Sequence, residues 1–331
     1  MKYDVVTMGS ATQDVFMSSK DFEEIESEKF ITKKGICVPL GSKVFMDDIF
    51  FAMGGTGTNT AVTFARQGLK TAYLGAVGKD ISGGGVKSEL EKHGVSLNLL
   101  REMEEYPTAY SVILSLPNVG RSILKKEGAC HFIKKEEIDF EQIETSWIYA
   151  GSLSSESCAL LRPAVEHAFK NDIKVAVNPA GDTQLGEHVD ELLSVLDKID
   201  ILILNQEECA RLTGFDFKEE DKIFDELDKM VKGIAVMTKG PDGVIVSDGK
   251  NRYSAGIPES DFVDRTGAGD AFGSAFTVGY MENENIENAI QFGTANATAV
   301  MQKKGAANGL LKKGDWGPWP KVEVLKQENS S

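Results

Sequence analysis

Cysteine is scarce in this 331-residue chain and shows no pairing pattern: Cys37, Cys130, Cys158 and Cys209 lie far apart and form no C-x-x-C. Four histidines form no H-E-x-x-H. Neither a zinc site nor a disulfide framework is therefore expected, and the cysteines are read as reduced thiols packed as small hydrophobes. No run approaches the ~18 consecutive apolar residues of a membrane span, and Asp4 falls where a secretory leader keeps an uninterrupted apolar stretch. The expectation is a cytoplasmic protein. Positive charge is also in deficit, with 36 Lys and Arg against 51 Asp and Glu for a net charge of −15. Such a field repels phosphate backbones and anionic lipid, and no local basic patch offsets it, so neither nucleic acid nor a membrane is expected as a partner. The pattern G-x-x-x-x-G-K-[ST] is missing, so any nucleotide must bind without that loop. Fixed-period repeats and low-complexity tracts are absent too.

What remains is an ordinary globular composition, 41% hydrophobic and 26% charged, long enough for one large domain with an appendage or for two domains. Short apolar runs at residues 3–8, 71–77, 146–150, 173–177, 200–204, 234–238 and 243–247 read as strands. Helical spacing fills 57–68, 83–93, 157–170, 187–197 and 218–232, and the alternation argues for a parallel sheet with helices on both faces. Two Ala- and Gly-rich helices are expected at 268–281 and 285–303, and a surface tail from Trp316 onward. Residues 15–53 and 108–128 break the pattern. Stretches such as Val44–Ala52 and Tyr110–Leu116 alternate apolar and polar residues, which suggests antiparallel strands pairing with each other outside the main sheet, or else edge strands of that sheet.

The segment Asp264-Arg-Thr-Gly-Ala-Gly-Asp-Ala-Phe272 carries the most chemistry. Glycines on either side of Ala268, just before a helical run, allow a concave backbone whose N–H groups join the positive end of the helix dipole. That arrangement suits a phosphoryl group in transfer. Asp270 opposes an anion there unless it takes a proton from an incoming hydroxyl; a helix N-cap is the other reading. A second glycine segment, Met53 to Ala61, fails G-x-G-x-x-G because Thr60 holds the third glycine position. Its glycines would let backbone approach a polyhydroxy ligand, with Asn59 offering both donor and acceptor.

Together these residues resemble the ribokinase, or phosphofructokinase B, family of sugar and nucleoside kinases over nearly the whole chain. Gly54 to Ala61 resembles the family's amino-terminal Gly-Gly motif. Asp264 to Asp270 resembles its D-T-x-G-A-G-D motif, with Arg265 in place of the usual Thr. Val77 to Gly83 is similar to V-G-x-D-x-x-G, Asn178-Pro-Ala180 to an N-P-A turn, and Asn205 to Glu208 to N-x-x-E. The resemblance implies an α/β fold: a ribokinase-like three-layer α/β/α sandwich with a mainly parallel central sheet and a small β lid. Residues 1–14, 54–107 and 129–331 would form the kinase domain, and 15–53 and 108–128 the lid. It implies ATP-dependent transfer of the γ-phosphoryl group to the hydroxymethyl oxygen of a sugar or nucleoside. In that scheme Asp270 is the base, and backbone at Gly267, Ala268 and Gly269 holds the developing charge. Asp14, Gly54, Gly55, Thr56 and Asn59 would face the acceptor. Asn205, Thr238, Gly240 and Gly267 would face the nucleotide, and Asn205 with Glu208 would support Mg²⁺ through water. On composition alone, Asn205 and Glu208 equally read as a helix cap and a solvated acid, and Asp14 as a turn residue.

Other matches are looser. Asp264, Thr266, Val300, Lys303, Gly305 and Gly309 correspond to the ribokinase K⁺ site, where backbone carbonyls leave little side-chain signature; Lys303 and Lys304 also read as a helix C-terminal cap. Thr12 and Thr56 stand where ribokinase has Asn and Lys, and spacing puts Ser155 where it has a sugar-contacting Glu. The stretch from Asp14 to Gly54 is longer than ribokinase needs, enlarging the lid either over a bulkier or more charged acceptor or for a homodimer contact. A nucleoside acceptor would need an apolar slot, for which Phe45, Phe50 and Phe51 are candidates, although core packing explains them as well. An inactive sugar-binding regulator is disfavoured by the intact Asp270, and a nicotinamide oxidoreductase by the broken glycine pattern.

Overall fold

The computed structural model describes residues 2–30, 32–116, 120–181 and 183–329. Along the chain, β1 (Tyr3–Met8) is followed by β2 (Thr12–Ser18), an exposed hairpin of β3 (Glu23–Glu26) and β4 (Lys34–Cys37), and β5 (Asp48–Gly54). Next come α1 (Thr56–Arg66), β6 (Thr71–Gly78), α2 (Ile81–Lys92), β7 (Leu100–Met103), β8 (Ala109–Leu116) and β9 (Gly120–Lys126). The second half alternates: β10 (Thr145–Ala150), α3 (Leu161–Lys170), β11 (Lys174–Val177), α4 (Val189–Leu193), β12 (Ile201–Asn205), α5 (Gln206–Thr213), α6 (Glu220–Met230) and β13 (Ile234–Thr238). Then β14 (Val244–Ser247), β15 (Asn251–Ala255), α7 (Ala268–Asn283), α8 (Ile286–Met301) and β16 (Val324–Glu328) complete the order.

The main sheet runs β16-β15-β14-β13-β12-β11-β10-β1-β6-β7, parallel from β7 through β13 and antiparallel beyond. Its central strands are unbroken apolar runs because helices cover both faces, and β6 is buried along its entire length. One apolar cluster packs the sheet on α3, α5 and α6, with Leu161, Cys209 and Phe224 at its centre; another packs it on α1, α7 and α8 through Phe64, Phe276 and Ile290. The Ala- and Gly-rich helices meet closely as expected, with Gly279 against Ala289 and Gly293 against Phe272. Asp80 caps α2 by accepting the Gly83 N–H at 2.7 Å, and it also accepts the Thr108 hydroxyl at 2.7 Å, which fixes the start of β8.

Four expectations need correction. The lid sheet, β5-β2-β8-β9, is separate from the main sheet, but β2 and β8 pair in parallel; only β2–β5 and β8–β9 are antiparallel. That sheet already begins at Thr12, so Asp14, expected in the kinase domain or in a turn, belongs to a lid strand; residues 117–119 of the 108–128 segment lie outside the described residues. The tail is structured: β16 pairs with β15, and Trp316 packs edge-on against Phe292 at 5.1 Å. Finally, 157–170 opens as a 3₁₀ stretch and becomes α only at Leu161, and 187–197 breaks into short turns around α4. Three of the cysteines are buried and all are free. Among the described residues no helix is long and apolar enough to cross a membrane.

Candidate active site

Tight backbone comes first in the motif. Gly267 caps α7 with φ 79°, and a Cβ there would overlap the Ala306 side chain, so only glycine fits. It supplies no capping side chain, and the first-turn N–H groups of Gly269 and Asp270 have no carbonyl one turn back. An anion has these donors available. Asp270 sits inside the first turn rather than at the cap, which removes the N-cap reading. Its Oδ2 accepts the Asn59 Nδ2–H at 2.8 Å, and burial pushes its pKa up to about 6 against the relief that bond gives.

Asn59 is buried in the first turn of α1, and its Oδ1 has no partner among the described residues. The α1 N-terminus depends on Gly55, at φ 106° and pressed against the Ser10 carbonyl. Gly54 lies against the Asp14 carboxyl so closely that a side chain could not be added. Thr56 is engaged with its neighbours: its N–H donates to Ser10 Oγ at 3.0 Å and its hydroxyl to the Ser152 carbonyl at 3.3 Å. Asp14 is 8% exposed. Burial raises its pKa to about 6; the Ser111 hydroxyl and Lys125 charge pull it down, while the Asp270 and Asp264 carboxylates push it up. Asp14, Ser111 and Lys125 are register partners across β2, β8 and β9, one row on one face of the lid. Ser155, at φ 53°, donates to both carboxylate oxygens of Glu127 at 3.1 and 3.0 Å. An acid from the end of the lid thus occupies the neighbourhood where the sequence offered only Ser155.

Between the lid and the motif lies a cleft of about 780 Å³, bordered by Phe16, Ile113, Arg121, Asp264, Arg265 and Lys304. Two ion pairs span it. Arg121 donates to Asp264 Oδ1 at 2.7 Å and to the Thr266 hydroxyl, and Lys304 pairs with Asp48. Phe50 packs on Phe16 at 6.0 Å, Phe45 is 80% exposed, and Phe51, 62% exposed, joins Phe50, Met53 and Val86 around a separate pocket of about 310 Å³. A second cavity, about 390 Å³, opens beyond the motif; Thr238 and Gly240 line it, and Val244, Phe272, Thr298 and Met301 line it unforeseen. Those four come from three elements, β14, α7 and α8, and share no sequence pattern.

Asn205 and Glu208 form a reciprocal capping box on α5. Asn205 Oδ1 accepts the Glu208 N–H at 2.9 Å and Glu208 Oε2 accepts the Asn205 N–H at 2.8 Å. Burial raises the Glu208 pKa against backbone donors at Asn205 and Gly181. The Val263 and Asp264 N–H groups donate to the Met301 carbonyl, at 2.7 and 3.2 Å, and draw the 264–266 loop to the turn holding Val300, Lys303, Gly305 and Gly309. Asp264 Oδ2 is buried there without a partner among the described residues.

Comparison with known proteins places the chain in a family. The model of the pfkB family carbohydrate kinases matches residues 29–313. The chain is 30% identical over 273 residues to a ribokinase of Haemophilus influenzae, covering 78% of this chain and 84% of that protein. It is 24% identical to an ATP-dependent 6-phosphofructokinase of Thermoanaerobacterium thermosaccharolyticum, covering 92% and 90%. In fold it is similar to the nucleoside kinase of Methanocaldococcus jannaschii, with a TM-score of 0.76 at 20% identity over 94% and 95% of the two chains. The class these define is a phosphotransferase with an alcohol group as acceptor. Within it, the chain belongs to the pfkB family of carbohydrate kinases, also called the ribokinase family.

Proposed function

We propose that this chain transfers the γ-phosphoryl group of ATP to a hydroxymethyl oxygen of a small carbohydrate, with Asp270 as general base. The observation that carries this reading is Asp270 itself. It is a desolvated carboxylate with a pKa of about 6, beside free N–H groups at the α7 N-terminus, so it is ionised at neutral pH yet basic enough to take a hydroxyl proton. Gly267, Ala268 and Gly269 offer backbone donors to the charge that develops on the phosphoryl oxygens. Asn59 anchors the base through Nδ2 and leaves Oδ1 to accept an acceptor hydroxyl. Asp14 and Glu127 supply further acceptors for hydroxyl groups. Thr238 and Gly240 would lie against the nucleotide, and Gly54 and Gly55 against the sugar. Closure of the lid would keep water from competing with the sugar hydroxyl.

Mg²⁺ fits Asn205 and Glu208 through water: among the described residues Glu208 accepts from two backbone donors, which leaves lone pairs for a hydrated ion, and the ion would neutralise phosphate charge. K⁺ fits the loop beside the motif, where Asp264 Oδ2 is an oxygen without a partner and Val300, Lys303, Gly305 and Gly309 bring carbonyls. It would add positive charge next to the phosphoryl site.

A nucleoside acceptor is the second reading, favoured by the apolar wall that Phe16, Phe50, Ile113 and Ile123 present on the Asp14 face of the lid. ADP release measured over pentoses, hexoses, sugar phosphates, keto-deoxy acids and nucleosides separates the two. A carbohydrate should give the highest kcat/KM, with the product carrying one new phosphate. If a nucleoside surpasses every carbohydrate, the second reading stands, and if no alcohol is phosphorylated, both fall.

A further inference from the structure

Arg265 departs from the family's motif, and its surroundings give it a task. The guanidinium lies over the Phe262 ring, 4.3 Å from the centroid. Arg265 and Phe262 line both the 390 Å³ cavity and the 780 Å³ cleft, so the pair stands where the two spaces join. Ala268 and Gly269, at the start of α7, line the same cavity. The other two cations of the cleft are already neutralised: Arg121 by Asp264 and Lys304 by Asp48. Arg265 has no carboxylate partner among the described residues and rests only on an aromatic face. In a chain of net charge −15, an unpaired guanidinium held at the junction of two cavities is a placed charge.

We infer that Arg265 binds the polyphosphate of the nucleotide where the nucleotide cavity opens onto the cleft, and that Phe262 holds the guanidinium in place for it. The inference rests on the reading of the 390 Å³ cavity as the nucleotide site. A planar guanidinium meets phosphate oxygens with two parallel donors, and stacking on Phe262 restricts its rotamers before the ligand arrives. Less ordering then remains to be done on binding. The proposed acceptor acids Asp14 and Glu127 border neither cavity, whereas Arg265 lines the one read as the nucleotide's.

Calorimetry with ATP, ADP and AMP tests this on the wild type, Arg265→Thr, Arg265→Lys and Phe262→Leu, with thermal melting to check folding. Thr restores the residue usual in the motif, so the substitution suits the fold. Loss of a charge-assisted bidentate contact should weaken ATP and ADP about tenfold to hundredfold. AMP, which lacks the polyphosphate, should stay within about threefold. Lys should recover part of the loss, and Phe262→Leu should show the same pattern in smaller degree. Equal losses for all three nucleotides would make Arg265 part of the cavity wall, and unchanged ATP affinity would leave it a solvated charge; either result overturns the assignment. A folded wild type that binds none of the three nucleotides would instead remove the nucleotide reading on which the assignment rests.

Discussion

Asp270 and Asp14 both titrate near pH 6, and the direction of their shifts fixes how activity and stability follow pH. A carboxyl whose pKa rises on folding is harder to ionise in the native state. Its unfavourable contribution appears as pH climbs from about 4 to about 6 and persists above. Asp270 in its proposed role of base works only when ionised, so kcat should fall as pH drops through about 6. Asp270→Asn keeps the shape and cannot take the proton, and kcat should drop about 10²-fold or more. The same variant should melt higher than wild type at pH 7.5, by on the order of 1–2 kcal/mol, and no higher at pH 3.5. Equal melting at both values would contradict the buried ionised base. Asp14→Ala should weaken the acceptor about tenfold to hundredfold and leave ATP within twofold, read by titrating each into the variant; comparable losses for both would remove Asp14 from the acceptor site. At this scale the sequence was legible where the chemistry is local. Gly267 to Asp270 are contiguous, and their conformation follows from glycine and the helix that starts there. Ser111 and Lys125 could not be read because they come beside Asp14 only through strand register, which a chain does not display until its strands pair, and Glu127, just past β9, meets Ser155 only in the folded chain.

Among the elements, β16 shows why the rest was harder. Buried strands such as β6 announce themselves as apolar runs, but Val324-Leu-Lys-Gln-Glu328 is an edge strand, mostly exposed, with little apolar patterning to read. The parallel pairing of β2 with β8 was hidden for a related reason, since alternation reports which face is buried and says nothing of direction. α3 starts late because the chain through Ser155–Leu160 takes the tighter 3₁₀ winding, a difference in hydrogen bonding that apolar spacing does not resolve. The packing of β16 has a measurable role. Ending the chain after Asp315 removes the Trp316 contact with Phe292 and bares the outer edge of β15. Thermal melting should show a loss of about 2–4 kcal/mol, and light scattering should show association through the bared edge. Unchanged melting and a monodisperse solution would mean that the tail adds nothing to the fold.

Over the whole molecule, two ion pairs, Arg121–Asp264 and Lys304–Asp48, tie the lid sheet to the loops around the motif. All four side chains retain some access to solvent, so each pair should contribute no more than about 1 kcal/mol and be weakened by salt. Hydrogen exchange followed by mass spectrometry should therefore find β5 and β9 exchanging faster in 0.5 M than in about 0.05 M NaCl, where the Debye length is several times longer, with β1 and β10 unchanged. Exchange that shifts equally in all four strands would show that the lid is held by packing alone. The position of β1 reaches further, into synthesis. β1 lies between β6 and β10, both of which follow it in the chain, so one flank waits for Thr71–Gly78 and the other for Thr145–Ala150. The Asn59–Asp270 bond joins residues 211 apart, and at roughly 5–20 residues per second Asp270 emerges many seconds after α1. Through that interval the nascent chain holds Asn59 without the carboxylate that accepts its Nδ2–H, so the junction of α1 with α7 closes only after α7 has been made.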